Sequence, residues 1–173
     1  MAMVSPLAQT EADKLTIGVA DMQVTNGPSA VLVTHALGSC IGVTLYDPLA
    51  RVGGMLHFML PSGRESPDKA KANPAMFGDS GVPMLFRACY ELGAVKERLV
   101  VCAAGGAEIM NDNGTFRIGA RNRTILRQLF WKNGVLLAAD DTGGSVSRTM
   151  QLSMESGAVT IRTKGLERTL WPL

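Results

Sequence analysis

This chain of 173 residues has few of the features that mark a membrane, nucleic-acid-binding or disulfide-stapled protein. It has no apolar run near the roughly 18 residues that span a bilayer. Positions 1–14 carry no basic cluster followed by an apolar stretch, so no secretory signal is expected and the cytoplasm is the default location. There are three cysteines, Cys40, Cys89 and Cys102. That odd number at irregular spacing argues against a disulfide framework. Neither charge sign dominates: 17 Lys+Arg against 15 Asp+Glu leave a net charge of +2, which is no nucleic-acid footprint. The nearest basic cluster, Arg117, Arg121, Arg123 and Arg127, reads as a solvated helix face. No internal repeat, low-complexity tract or linker divides the chain. Gly105-Gly106 and Gly143-Gly144 each follow an apolar strand, but neither continues into a phosphate-loop pattern.

What is present is an ordinary globular composition, 46% hydrophobic and 18% charged, long enough for one well-filled core. Residues 1–14 read as a flexible tail and 15–173 as a single domain. Runs rich in Val, Ile, Leu and Thr predict strands over 15–20, 30–34, 40–46, 54–60, 98–103, 135–139, 147–154 and 158–163. A helix is expected from Asp79 or Ser80, with Pro83 in its first turn and Gly93 at its end. A second is expected from about Arg121 to Lys132, stopped by Asn133-Gly134. The polar stretch 61–79 reads as a long functional or mobile loop. With more strand than helix, and too few helices to separate every strand pair, the class is α+β.

The chemistry concentrates in Cys40 and His57, one of only two histidines. Cys40 opens one strand-like stretch and His57 lies in the next, with the turn signal Asp47-Pro48-Leu49-Ala50 between them. A turn centred between Pro48 and Leu49 sets Cys40 directly across an antiparallel hairpin from His57. Opposed residues share a face with Cβ atoms about 5 Å apart. A thiol beside an imidazole is the pairing that populates a thiolate near neutral pH. Alternation sends Ile41, Val43 and Leu45 to the core and Cys40 to a less apolar face. Gly38 and Ser39, just before the cysteine, suit a backbone oxyanion hole. Other readings stand beside this one. A free cysteine can be a small core hydrophobe, and a one-residue register slip would part the pair. Zinc would need more ligands than Cys40, His57 and His35 provide. Cys89 on a helical stripe and Cys102 in an apolar strand both read as core.

Several motifs in one order resemble a known family. Leu37-Gly38-Ser39-Cys40, Tyr46-Asp47-Pro48, Gly53-Gly54-Met55 and His57-Phe58-Met59-Leu60-Pro61 are similar to the signature of CheD, the chemoreceptor glutamine deamidases. Gly105-Gly106-Ala107, Ile118-Gly119-Ala120-Arg121-Asn122, Asp140-Asp141-Thr142-Gly143-Gly144 and Arg148 follow in order, so the resemblance spans about residues 15–163.

The resemblance implies a layered α/β/β sandwich, with helices packed on one face of a β-sandwich. It implies a catalytic set of nucleophile Cys40, base His57 and supporting Thr34, and no metal or organic cofactor. Gly38 and Ser39 would position substrate and oxyanion. Gly105, Gly106, Asn122, Thr142, Gly143 and Gly144 would line the substrate groove. The implied substrates are glutamine side chains, and sometimes glutamate methyl esters, on the cytoplasmic helices of chemoreceptors. Some members also bind the phosphatase CheC, so the alternative is a non-catalytic module that docks on CheC or on receptors. Neither nucleic acid nor membrane insertion is implied. This chain departs from the family at Ala36, where glycine is frequent, and the segment from Glu108 to Phe116 looks variable in length.

Overall fold

A computed structural model describes residues 13–109 and 116–172. The expected tail therefore lies outside the described residues, except that Lys14 already opens the first strand. Most of the segment between Glu108 and Phe116 also lies outside them. Among the described residues there are ten strands and three α-helices. The strands are β1 (Lys14–Ile17), β2 (Asp21–Thr25), β3 (Val31–Leu37), β4 (Ile41–Asp47), β5 (Val52–Phe58), β6 (Val100–Gly105), β7 (Ala139–Thr142), β8 (Arg148–Ser153), β9 (Val159–Thr163) and β10 (Leu166–Trp171). The helices are α1 (Pro67–Ala72), α2 (Gly78–Glu91) and α3 (Ile118–Asn133).

The strands form two mixed five-stranded sheets, ordered β1-β3-β8-β9-β10 and β2-β5-β4-β6-β7. Between them Ile17, Leu32, Leu37, Met150 and Leu152 of the first sheet meet Met55, Cys102 and Ala104 of the second. On its other face the second sheet presents Ile41, Val43, Leu45, Leu56 and Phe58 to Val82, Leu85 and Cys89 of α2 and Leu126 and Phe130 of α3. The layers are thus helix, sheet, sheet, as expected. A fully buried Leu56 or Phe58 contributes about 1.5–3 kcal/mol by leaving water. The second sheet sits in the middle, which explains why every residue of β4 and β5 is buried. The face carrying Met55 and His57 is therefore not less apolar; it is the inter-sheet core.

The β4–β5 hairpin differs from the expected register. Gly42, not Cys40, lies opposite His57, and Asp47 pairs with Val52. The cause is the turn. The Asp47 carboxylate accepts the N–H groups of Leu49 and Ala50, and Arg51 then closes the loop at φ +53°. The turn therefore centres one residue later than predicted, and each pairing shifts by two. A two-residue shift preserves the face, since side chains alternate with period two. Burial opposes the charge on Asp47, but Arg98 and the N–H groups of Ala50, Val95 and Leu49 outweigh it and hold the carboxyl well below its ordinary range.

The stretch 61–79 is built rather than loose. It holds α1 and a single 3-10 turn (Pro74–Met76), and Asp79 accepts from Ser62 Oγ (2.6 Å) and Gly63 N (3.2 Å). Helix α2 starts slightly earlier than predicted, leaving Pro83 inside it.

Candidate active site

His57 projects from β5 into the inter-sheet core and is fully buried. Thr34, on β3 of the facing sheet, is equally buried and places Oγ1 2.7 Å from His57 Nδ1. The same hydroxyl donates to Ile17 O at 2.8 Å. A hydroxyl has one proton, so toward His57 it can only accept. Nδ1 therefore carries the imidazole proton, and Nε2 is left with a free lone pair. Nε2 is buried without a hydrogen-bond partner among the described residues. An unused basic nitrogen in a core is costly, and its presence points to chemistry.

Cys40 stands just before β4, half-buried, two residues ahead of the glycine that opposes His57. Burial pushes its thiol up, partly offset by its own N–H against the sulfur. Burial brings His57 down to about 4. Both shifts favour the neutral forms, thiol and imidazole.

The cysteine loop is held by its carbonyls. Gly38 O accepts from Ala107 N (2.8 Å), Ser39 O from Asn122 Nδ2 (2.9 Å) and Cys40 O from Gly106 N (2.8 Å). In a planar trans peptide the N–H points away from the C=O. The Ser39 and Cys40 N–H groups are thus turned away from the β6 and α3 side that binds the carbonyls, and among the described residues neither meets a backbone carbonyl. Two glycines permit the close approach. Gly105 has φ +102°, and a Cβ there would collide with Cys40 O. Gly119 lets the first turn of α3 press on Ala107, where a Cβ would strike the Ala107 carbonyl.

The remaining expected site residues are placed as follows. Gly143 N donates to Gly105 O (2.8 Å) and Glu108 N to Gly144 O (2.9 Å), so the two glycine turns are fastened to each other beside the cysteine loop. Thr142, at the end of β7, pairs with Gly105. Asn122 is fully buried and bonds backbone carbonyls rather than facing solvent. His35 is exposed on the outer face of the first sheet near Thr149, apart from His57 on the inner side. No three metal-binding side chains converge among the described residues. Cys89 and Cys102 are fully buried core, as read from the sequence.

The sequence reading gave no site role to Ala107 or to the exposed apolar residues Met59 and Ile109. Met59 O shares Asn122 Nδ2 with Ser39 O, and Ile109 packs over Gly38. The anchoring role of Asn122 had a legible signal. Gly119, Asn122, Leu126 and Phe130 form the buried stripe of α3, and a polar residue on such a stripe must find partners.

Comparison with known proteins decides the lineage. The family profile for CheD chemotactic sensory transduction matches residues 59–163. A protein of Syntrophus aciditrophicus named "Probable chemoreceptor glutamine deamidase CheD 1" is 48% identical over 149 residues, 86% of this chain and 93% of the relative. The chain belongs to the CheD family. A similarly named CheD of Solibacter usitatus is 44% identical over 160 residues, covering 92% of this chain and 95% of the relative. A CheD 2 of Anaeromyxobacter dehalogenans is 46% identical over 149 residues, 86% of this chain and 94% of the relative. The matched profile begins just beyond His57, but relatives covering 86–92% of the chain necessarily span Thr34, Cys40 and His57. Among the described residues no helix is long and apolar enough to cross a membrane.

Proposed function

We propose that this CheD protein hydrolyses side-chain amides of glutamines on chemoreceptor cytoplasmic helices through a thioester on Cys40. The relatives' names supply the substrate class, and family membership makes an amidohydrolase the coarse reading. The observation that carries the chemistry is the Thr34–His57 hydrogen bond, which leaves Nε2 as an unpartnered base in the sandwich whose edge bears Cys40.

Because burial disfavours both ions, proton transfer accompanies attack. Sγ forms a bond to the glutamine carbonyl carbon while its proton passes to His57 Nε2. The carbonyl oxygen becomes an oxyanion, received by the outward N–H groups of Ser39 and Cys40. One such donor is typically worth about 3–4 kcal/mol in the transition state. The C–N bond then breaks, His57 returns the proton, and ammonia leaves. Water adds to the thioester with His57 taking its proton, and the C–S bond breaks to free glutamate and the thiol. Thr34 holds the ring through Nδ1 throughout, in the place an Asp or Asn takes in other triads. Methyl esters would follow the same path with methanol leaving.

The test is intact-mass spectrometry of a chemoreceptor cytoplasmic fragment after incubation. The small mass gain of each glutamine-to-glutamate conversion is expected with the wild type and absent with Cys40→Ala and His57→Ala. If Cys40→Ala kept the cellular effect on receptor adaptation, the protein would be a docking module instead.

A further inference from the structure

The side-chain amide of Asn122 bridges two pieces of backbone that belong to different parts of the site. One is Ser39 O at 2.9 Å, in the peptide whose N–H is that of Cys40. The other is Met59 O at 3.1 Å, just past the end of β5 and two residues after His57. Both contacts are made by Nδ2, which spends its two protons on them. The opposite amide orientation would press Oδ1 against two carbonyl oxygens, so the orientation is forced. Oδ1 is then left buried with no partner among the described residues. An unsatisfied acceptor in a core is destabilising, so stability alone does not account for an asparagine here. Gly119, one turn earlier, is what lets α3 come close enough for this reach.

We propose that Asn122 is a positioning residue of the deamidation reaction. It fastens the nucleophile loop to the strand that carries the base, and so aims the Cys40 N–H at the place where the oxyanion develops. The inference rests on the deamidase reading given above and adds to it the source of the oxyanion donor's orientation. Ser39 O and the Cys40 N–H lie on opposite sides of one rigid plane, so holding the first sets the second. Gly106 and Ala107 hold the flanking peptides through Cys40 O and Gly38 O, but neither touches the Ser39–Cys40 plane. The Asn122 amide bonds these two carbonyls and not the sulfur, and the bonds to Gly38 O and Cys40 O do not depend on it.

Two variants test this. Asn122→Ala removes the bridge, and Asn122→Asp keeps the volume while replacing the N–H donors by oxygen. Steady-state deamidation of a chemoreceptor cytoplasmic fragment is measured beside iodoacetamide alkylation of Cys40. Alkylation attacks a methylene carbon and forms no oxyanion, so it reports the thiol alone. The expected result is kcat lowered about tenfold to a hundredfold, less than full loss of a donor, with KM and the alkylation rate within about threefold of wild type. A merely structural residue would move alkylation and kcat together, and that result overturns the proposal. A folded variant with wild-type kcat overturns it too, as does loss of the folded state in both variants by thermal unfolding. If the wild type itself converts no glutamine, the deamidase reading falls and takes this inference with it. An active wild type with unimpaired variants removes the positioning role alone.

Discussion

The single proton of the Thr34 hydroxyl goes to Ile17 O, and this makes its role at His57 that of an uncharged acceptor. An acceptor without charge orients the ring but stabilises an imidazolium less than a carboxylate does. Thr34→Ala is therefore expected to lower kcat on a receptor fragment by about tenfold to a hundredfold, whereas Cys40→Ala and His57→Ala abolish turnover. Thr34→Ser keeps the hydroxyl and retains much of the activity. A Thr34→Ala variant as inactive as Cys40→Ala would contradict this graded role. The pH dependence follows from the same burial. In the proposed mechanism His57 must be neutral to act as base, and burial lowers its pKa from 6.5 to about 4. The acid limb of kcat/KM is accordingly expected near pH 4 instead of 6.5. The sign for stability is also set: the unfolded chain binds the proton first. The stabilisation tied to neutral His57 is complete above 6.5 and is lost as pH falls toward about 4. Urea midpoints for wild type and His57→Gln, compared between neutral pH and the acid end of that window, check it: the wild type loses more. At Ala36 the backbone adopts φ +56° within a bulge of β3, a conformation that favours glycine. Ala36→Gly is expected to stabilise by about 0.5–1 kcal/mol, read as a raised urea midpoint at unchanged slope.

Among the elements, those with strong hydrophobic runs were legible and the edges were not. The strands β3 to β6, β8 and β9 and the helices α2 and α3 follow Val/Ile/Leu runs and apolar stripes visible in the sequence, so their boundaries shift by only a few residues. β7 lies further along than predicted, at Ala139–Thr142, because the half-exposed Val135–Ala138 segment only leads into the parallel pairing with β6. β2 and β10 escaped because edge strands carry polar residues on exposed faces: Asp21–Thr25 has no fully buried residue, and Leu166–Trp171 has one, Leu170. The hairpin that carries His57 was legible but its register was not, since the turn chemistry of Asp47 fixed that over a longer range through Val95 and Arg98. Thr34 could not be found from spacing at all, because it arrives from the other sheet. The segment 61–79 belongs at this scale too. It is tied to the site's back by Asn73 Nδ2 on Ala20 O (2.8 Å), while Ala20 N donates to His57 O (2.9 Å). If the segment selects the receptor helix, Asp79→Ala frees Ser62 and Gly63, raising KM for a receptor fragment and speeding protease cleavage within 62–77. Cys40 alkylation is unaffected. A change in alkylation without a change in KM would refute that assignment.

The whole molecule has two cores that share one sheet, and its three cysteines sample them separately. Cys89 lies in the helix–sheet core, Cys102 in the sheet–sheet core, and Cys40 at the strand mouth. Burial pushes Cys89 up to about 12 and Cys102 up to about 11, and both are fully buried, whereas Cys40 is only half-buried. In folded protein iodoacetamide is therefore expected to modify Cys40 alone, slowly at neutral pH and faster as pH rises, because the raised thiol must first ionise. A rate already at its plateau near pH 7 would mean that His57 holds a thiolate after all. Adding urea extends the measurement from the site to the fold. β4 and β5 are buried on both faces and belong to both cores, so neither core can open without exposing the strands that support the other. A chain of this size with one shared layer is expected to unfold as a unit. Cys89 and Cys102 then become reactive over the same urea range, which coincides with the loss of far-UV circular dichroism. If Cys89 reacted at lower urea than Cys102, the helices would be peeling from a surviving sandwich. In that case α3, and with it the Asn122 bridge to the cysteine loop, would be lost before the Thr34–His57 pair.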